Sequence, residues 1–156
     1  MKSPRAVTLS LLAGLAIMAG SGPLLADPIA SSAKPLALRN IMKALGNNAQ
    51  AITEGISHED WPQVEQAALL IADHPQPPLA EKMRIMSFAG ASIGKFKSYD
   101  GETHDAAKAV ARAARSGDGE GVILAFQKLQ TSCYNCHSEF RKPFVAHFYG
   151  KRDAVQ

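Results

Sequence analysis

Cys133, Cys136 and His137 stand together as Cys133-Tyr134-Asn135-Cys136-His137, 19 residues before the C-terminus. Two thiols at this step, followed at once by an imidazole, read as an attachment site for c-type haem. Each thiol can form a thioether to a porphyrin vinyl group, and the histidine then lies under the iron as its proximal ligand. Other chemistries use the same residues less completely. A disulfide suits an exported chain but leaves His137 without a purpose. A thiol redox centre belongs in a βαβ setting, and no segment here alternates with period two. Zinc needs two further ligands at a suitable spacing, and only His147 lies near. Haem c uses all three residues. Because the motif is so late in the chain, any sixth ligand to the iron must come from upstream.

The elements that must hold this site occupy the 156-residue chain, a length that suggests one domain. Lys2 and Arg5, the apolar or small run Ala6–Ala19 and then Leu24-Leu25-Ala26 have the pattern of a secretory signal peptide over residues 1–26. The run is short and rich in Ala and Gly for a membrane span; an uncleaved N-terminal anchor is the alternative. Residues 27–156 are then the mature domain, expected in the periplasm, where covalent haem attachment by this motif takes place. Removing the leader lowers the net charge from +3 to about +1, since Lys2 and Arg5 are its only charges. No Lys/Arg-rich block marks a nucleic-acid footprint.

Helical periodicity runs through the mature segment. Leu38, Met42, Leu45, Ala49, Ile52 and Ile56 step by 4 and 3 residues, the seam of a bundle helix. Gly55 and Ser57 mark its end. Ser57-His58-Glu59-Asp60 has the form of a capping box, with Pro62 in the next helix's first turn. That second helix runs through Val64, Ala67, Ala68 and Ile71 to His74, where Pro75, Pro77 and Pro78 stop it. Leu79, Met83, Met86, Ala89, Ile93 and Phe96 form another helical stripe, in which Gly90 and Gly94 could allow a close crossing or shorten the helix. Ser98–Gly101 reads as a turn and Thr103–Arg115 as an Ala-rich helix. The last helix carries Val122, Phe126, Leu129, Cys133, Cys136 and Phe140 on one stripe, with Pro143 limiting it. The expected fold is all-α, an antiparallel four-helix bundle.

Cys133-Tyr134-Asn135-Cys136-His137-Ser138-Glu139-Phe140-Arg141, near the end of an all-helical exported chain, resembles the class II c-type cytochromes. These are cytochrome c′ and its low-spin relatives of the c-556 kind. Arg39-Asn40-Ile41-Met42-Lys43-Ala44-Leu45-Gly46 is similar to that family's distal segment, and the resemblance spans most of residues 34–143. It implies a four-helix bundle, fitting Leu79–Tyr99 least well; a short extra helix is expected between helices 2 and 3. It also implies one covalently bound haem c, with Met42 as the sixth iron ligand if the protein is low-spin. The other reading of Met42 is core packing, a common use of methionine on an apolar seam. Met83 and Met86 read as core, with either as a reserve ligand. Arg39, one turn before Met42, would pair with a haem propionate, and Arg141 would orient the proximal side; an ordinary surface arginine is the plain alternative for Arg39. His58, His74, His104 and His147 read as capping or exposed residues, His147 having the best claim to the haem edge. The tail Phe144–Tyr149 reads as hydrophobic cover for the bundle end.

The function these residues imply is one-electron transfer in the periplasm, between redox proteins the sequence does not identify. The alternative is a five-coordinate, cytochrome c′-like protein that binds NO or CO. No distal acid–base pair supports an enzyme. The resemblance also allows a homodimer, and the mildly basic stretch Glu139–Asp153 could steer an acidic partner.

Overall fold

A computed structural model describes residues 35–150. The expected signal peptide lies outside these residues, as do Lys151, Arg152 and Asp153 of the basic tail. The described chain is helical almost throughout, with no strand among the described residues.

Helix α1 (Ala37–His58) ends where Glu59 turns into the left-handed region at φ 55°, with the capping amide bonded back to the last turn. Helix α2 (Trp61–Ala72) follows after two residues. Its N-cap is Asp60, whose carboxylate accepts from the Gln63 amide at 3.0 Å. The cap expected at Ser57 is not used. Ser57 is still helical, and its hydroxyl donates to the Thr53 carbonyl in the last turn of α1. The helix also stops at Ala72 rather than His74, and the capping Asp73 amide bonds to Leu69.

Helix α3 (Leu79–Ala89) is the short extra helix expected between the second and third bundle helices. Gly90, at φ 49°, ends it, a conformation that glycine adopts without steric cost. One 3-10 turn leads into helix α4 (Ile93–Arg115), which runs straight through Ser98–Gly101, where a turn was expected. Gly101 weakens a helix interior by only about 1 kcal/mol. Against that, Phe96 and Tyr99 pack on Phe140, and Thr103 donates to the Tyr99 carbonyl at 2.8 Å. Tertiary packing therefore overrides the local turn signal.

Helix α5 (Gly119–Cys136) is capped by Asp118, which accepts from the Gly121 amide at 2.9 Å. It passes into one turn of π-helix, His137–Arg141, and then helix α6 (Lys142–Tyr149). Pro143 does not close the helical run. It sits in the first turn of α6, where a missing N–H is tolerated.

Helices α1, α2, α4 and α5 form the antiparallel bundle. Arg115 near the end of α4 pairs with Glu65 near the start of α2, and Thr103 of α4 meets Ser132 of α5. The α1–α2 and α4–α5 turns share one end, where Trp61 lies against Gly119. Ile52, Val64, Val110 and Val122 fill the core, fully buried. The close helix approach falls at Gly55, not at Gly90 or Gly94. A methyl group on Gly55 would lie 2.8 Å from Val64 Cγ2, whereas nothing lies within 4 Å of one on Gly94. No described helix is long and apolar enough to cross a membrane.

Candidate functional site

The end of the bundle opposite Trp61 holds the chemistry. The apolar seam of α1 divides along its length. Ile52 is packed in the core, but Leu38, Met42, Leu45 and Gly46 line a cavity of about 530 Å³. Cys133, Cys136 and His137 line the same cavity from α5 and the π turn, with Met86 from α3 and Phe96 and Asp100 from α4. An adjoining cavity, also about 530 Å³, is lined by Arg39, Met42, His137, Arg141 and Tyr149 among others. Met42 and His137 thus face both spaces, each of a size usual for a cofactor site.

The motif end of α5 is held by buried groups. Phe140 is buried, with the rings of Phe96 and Tyr99 edge-on at 5.3 and 6.3 Å. Ser132, buried one residue before Cys133, bonds to the Leu129 carbonyl at 2.8 Å and the Thr103 hydroxyl at 3.0 Å. Tyr99 donates to Glu139 at 3.2 Å, and Lys95 pairs with the same carboxylate at 2.6 Å.

The facing end of α1 depends on contacts distant in sequence. Leu36, at its N-cap, provides no side-chain bond. Instead Glu81 of α3 accepts from the Ala37 and Leu38 amides, both at 2.8 Å. The Tyr149 hydroxyl of α6 accepts from the Leu36 amide at 3.1 Å, and the Arg39 guanidinium lies 5.4 Å above the Tyr149 ring. Neither contact has a local signal, because the partners are 44 and 113 positions apart.

Both thiols are free and half-buried. Burial raises the Cys133 pKa. Burial, with the negative charges of Asp100, Cys133 and Glu139 around it, pushes Cys136 up to about 11. His137 opens onto the cavities, yet partial desolvation and then the Arg141 charge lower its pKa. At neutral pH the site therefore presents two protonated thiols and a neutral imidazole, the form of histidine that binds metals. Free thiols and an imidazole on one largely apolar cavity fit a haem c.

The other expected positions separate. Met86 lines the first cavity, but Met83 is 58% exposed and is not core, because it falls on the outer face of α3. His58 is in the last turn of α1. His147 packs on Phe88 and Phe148 and is not among the cavity-lining residues. The tail of α6 does cover this end, with Phe144 edge-on to Phe88 at 5.3 Å. His74 and His104 are neither caps nor freely exposed: they stack on each other at 4.7 Å beside Asp100. The Asp100-x-x-x-His104 spacing places two of these on one helix face, but nothing local brings His74 to them.

Residues 91–141 match the family described as Cytochrome C′. The match is consistent with a class II cytochrome c. It covers α4, α5 and the π turn, a narrower stretch than residues 34–143, and leaves α1 with Arg39 and Met42 outside. That family implies haem c binding, and the free thiols and imidazole at this bundle end are consistent with a c-type cytochrome. Comparisons with curated proteins and with solved structures found no match.

Proposed function

We propose that this class II cytochrome is an exported, periplasmic carrier of single electrons, with His137 as proximal and Met42 as sixth ligand of one haem c. The observation that carries the reading is that Met42 and His137, from α1 and the end of α5, line the same two adjoining cavities. Met42 is 40% exposed there, although Ile41 beside it is buried. A thioether on the core seam would instead be enclosed by side chains.

Haem c bound here supplies an Fe(III)/Fe(II) couple whose potential a thioether ligand raises. The chain does the rest. Cys133 and Cys136 would hold the group as thioethers, each S–H adding across a vinyl double bond so that its hydrogen ends on the vinyl's terminal carbon. His137 presents a neutral imidazole nitrogen. Leu38, Leu45, Met86 and Phe96 exclude water, which limits solvent rearrangement when the charge changes. Arg39 and Arg141, both on the second cavity, offer positive charge to the propionates. The same arginines with Lys43 make a basic rim, suited to an acidic redox partner.

The test is the spectrum of purified holoprotein and of Met42→Ala. The expected parent is low-spin, with sharp reduced bands that CO does not alter; the variant becomes high-spin and binds CO. A parent already high-spin and CO-sensitive would move the assignment to gas binding. An unchanged Met42→Ala spectrum would remove Met42 as ligand.

A further inference from the structure

Beside the haem cavity, where α4 passes the end of α2, three potential ligands converge. His74, Asp100 and His104 each offer one donor atom, and these atoms all lie within 4.8 Å of one another. His74 Nε2 is 3.7 Å from Asp100 Oδ1, and His104 Nε2 is 3.6 Å from Asp100 Oδ2. These separations are too long for hydrogen bonds. The opposite side of each ring is already committed. His74 Nδ1 lies 3.1 Å from the Pro75 carbonyl, and His104 Nδ1 contacts the Ala72 carbonyl. A carbonyl only accepts, so both Nδ1 atoms carry the proton. In the neutral rings, both Nε2 lone pairs therefore point toward a carboxylate.

Two Nε2 atoms and the carboxylate they face at this distance converge, as three donors, on a single point between them. The backbone carbonyls supply what a metal-binding histidine needs on its far nitrogen, a fixed tautomer and orientation. A zinc-type ion about 2.0–2.1 Å from each donor holds tetrahedral ligands about 3.4 Å apart, so the three donors, all within 4.8 Å of one another, would draw slightly together on binding. The His74 side chain is only 7% exposed, while Asp100 is 46% exposed and leaves the ion a path in from solvent. Two imidazoles and a carboxylate, with a position left for water, suit a borderline divalent cation rather than calcium or magnesium. We propose that His74, Asp100 and His104 form a second metal site, for zinc or a similar transition-metal dication, on the wall of the haem cavity.

The test adds Zn²⁺ to purified, chelator-treated holoprotein and measures binding by calorimetry. The expected result is one Zn²⁺ per chain at this site. Asp100→Asn and His104→Gln should each weaken binding at least about 10-fold, and the double variant His74→Gln/His104→Gln should lose that one equivalent. Helical circular dichroism should stay that of the parent in every variant, and in His104→Gln, which lines neither cavity, the haem spectrum should stay too, which separates lost ligation from misfolding. With Cu²⁺ as a paramagnetic probe, the resonance spectrum should show two coupled nitrogens, and one in His74→Gln. No zinc uptake by the parent, or equal uptake by the double variant, would overturn the proposal. Variants that alter the haem spectrum but not zinc uptake would overturn it too, assigning these residues to the haem edge. The readout counts zinc rather than electrons, so failure of the sixth-ligand reading leaves it standing.

Discussion

Glu81→Ala tests whether a contact made across the fold sets the geometry of the candidate sixth ligand. Helix α1 has no side-chain cap of its own and no acidic residue in its first turn. Two of its free amides, Ala37 and Leu38, are bonded at 2.8 Å to the Glu81 carboxylate of α3. Hydrogen bonds to a charged group contribute about 1.5–3 kcal/mol, and loss of an ordinary N-cap costs about 1 kcal/mol. Glu81 is half-buried, and water can reach an open helix end in the variant. The expected loss is therefore about 2 kcal/mol for the pair, a fall in Tm of about 6–10 °C for a domain of this size. Glu81→Gln keeps one acceptor oxygen and should show about half that loss. Arg39 and Met42 lie in the first two turns of α1, so loosening this end should also raise the fraction of holoprotein that binds CO. Thermal unfolding followed by circular dichroism, with a CO difference spectrum, measures both effects. A Glu81→Ala protein with the parent's Tm and spectrum, or a Gln variant as damaged as the Ala variant, would refute the reasoning.

Two glycine substitutions are expected to act in opposite directions. Gly55→Ala gains up to about 1 kcal/mol of helix propensity. It also places a methyl 2.8 Å from Val64 Cγ2 and 3.2 Å from the Asp60 carbonyl oxygen, an overpacking cost of about 1–3 kcal/mol. Net destabilisation is expected. Gly101→Ala, with nothing within 4 Å of the new methyl, should stabilise by about 0.5–1 kcal/mol; the two opposite signs in urea unfolding are the check. In the chain before haem attachment, Cys136 holds its proton up to about pH 11 because burial and neighbouring negative charge disfavour the thiolate. Its alkylation by iodoacetamide should therefore rise with a midpoint near 11, not 9, and Asp100→Asn should lower that midpoint. A midpoint at or below 9 in the parent contradicts the assignment.

The parts legible in the sequence were those written in short range. The 3–4 residue seams of α1 and α5, the proline stop after α2 and the Cys133–His137 motif each depend on neighbours within a turn or two. The errors came where local preference met packing. Ser98–Gly101 looks like a turn, but Phe96 and Tyr99 packing on Phe140 carries α4 through it. Pro143 looks like a stop, but a π turn before it lets the chain resume as α6. Ser57 looks like a cap, but α1 extends past it and Asp60 takes the role.

The sequence by itself determined where the candidate chemistry lies: two thiols and an imidazole within about one helical turn need no distant residue to be recognised. It also determined the helical class, because apolar side chains repeating with the helical period must be buried together. Only the tertiary structure decided what those atoms face. Met42 could have been core or cavity wall on the same seam, and the difference is that residues of α3, α4 and α5 line a common cavity with it. Glu81, Tyr149 and the His74–Asp100–His104 cluster are likewise products of chain return, since their partners lie 26 to 113 positions away in sequence wherever they are not on one helix, and no local rule joins them.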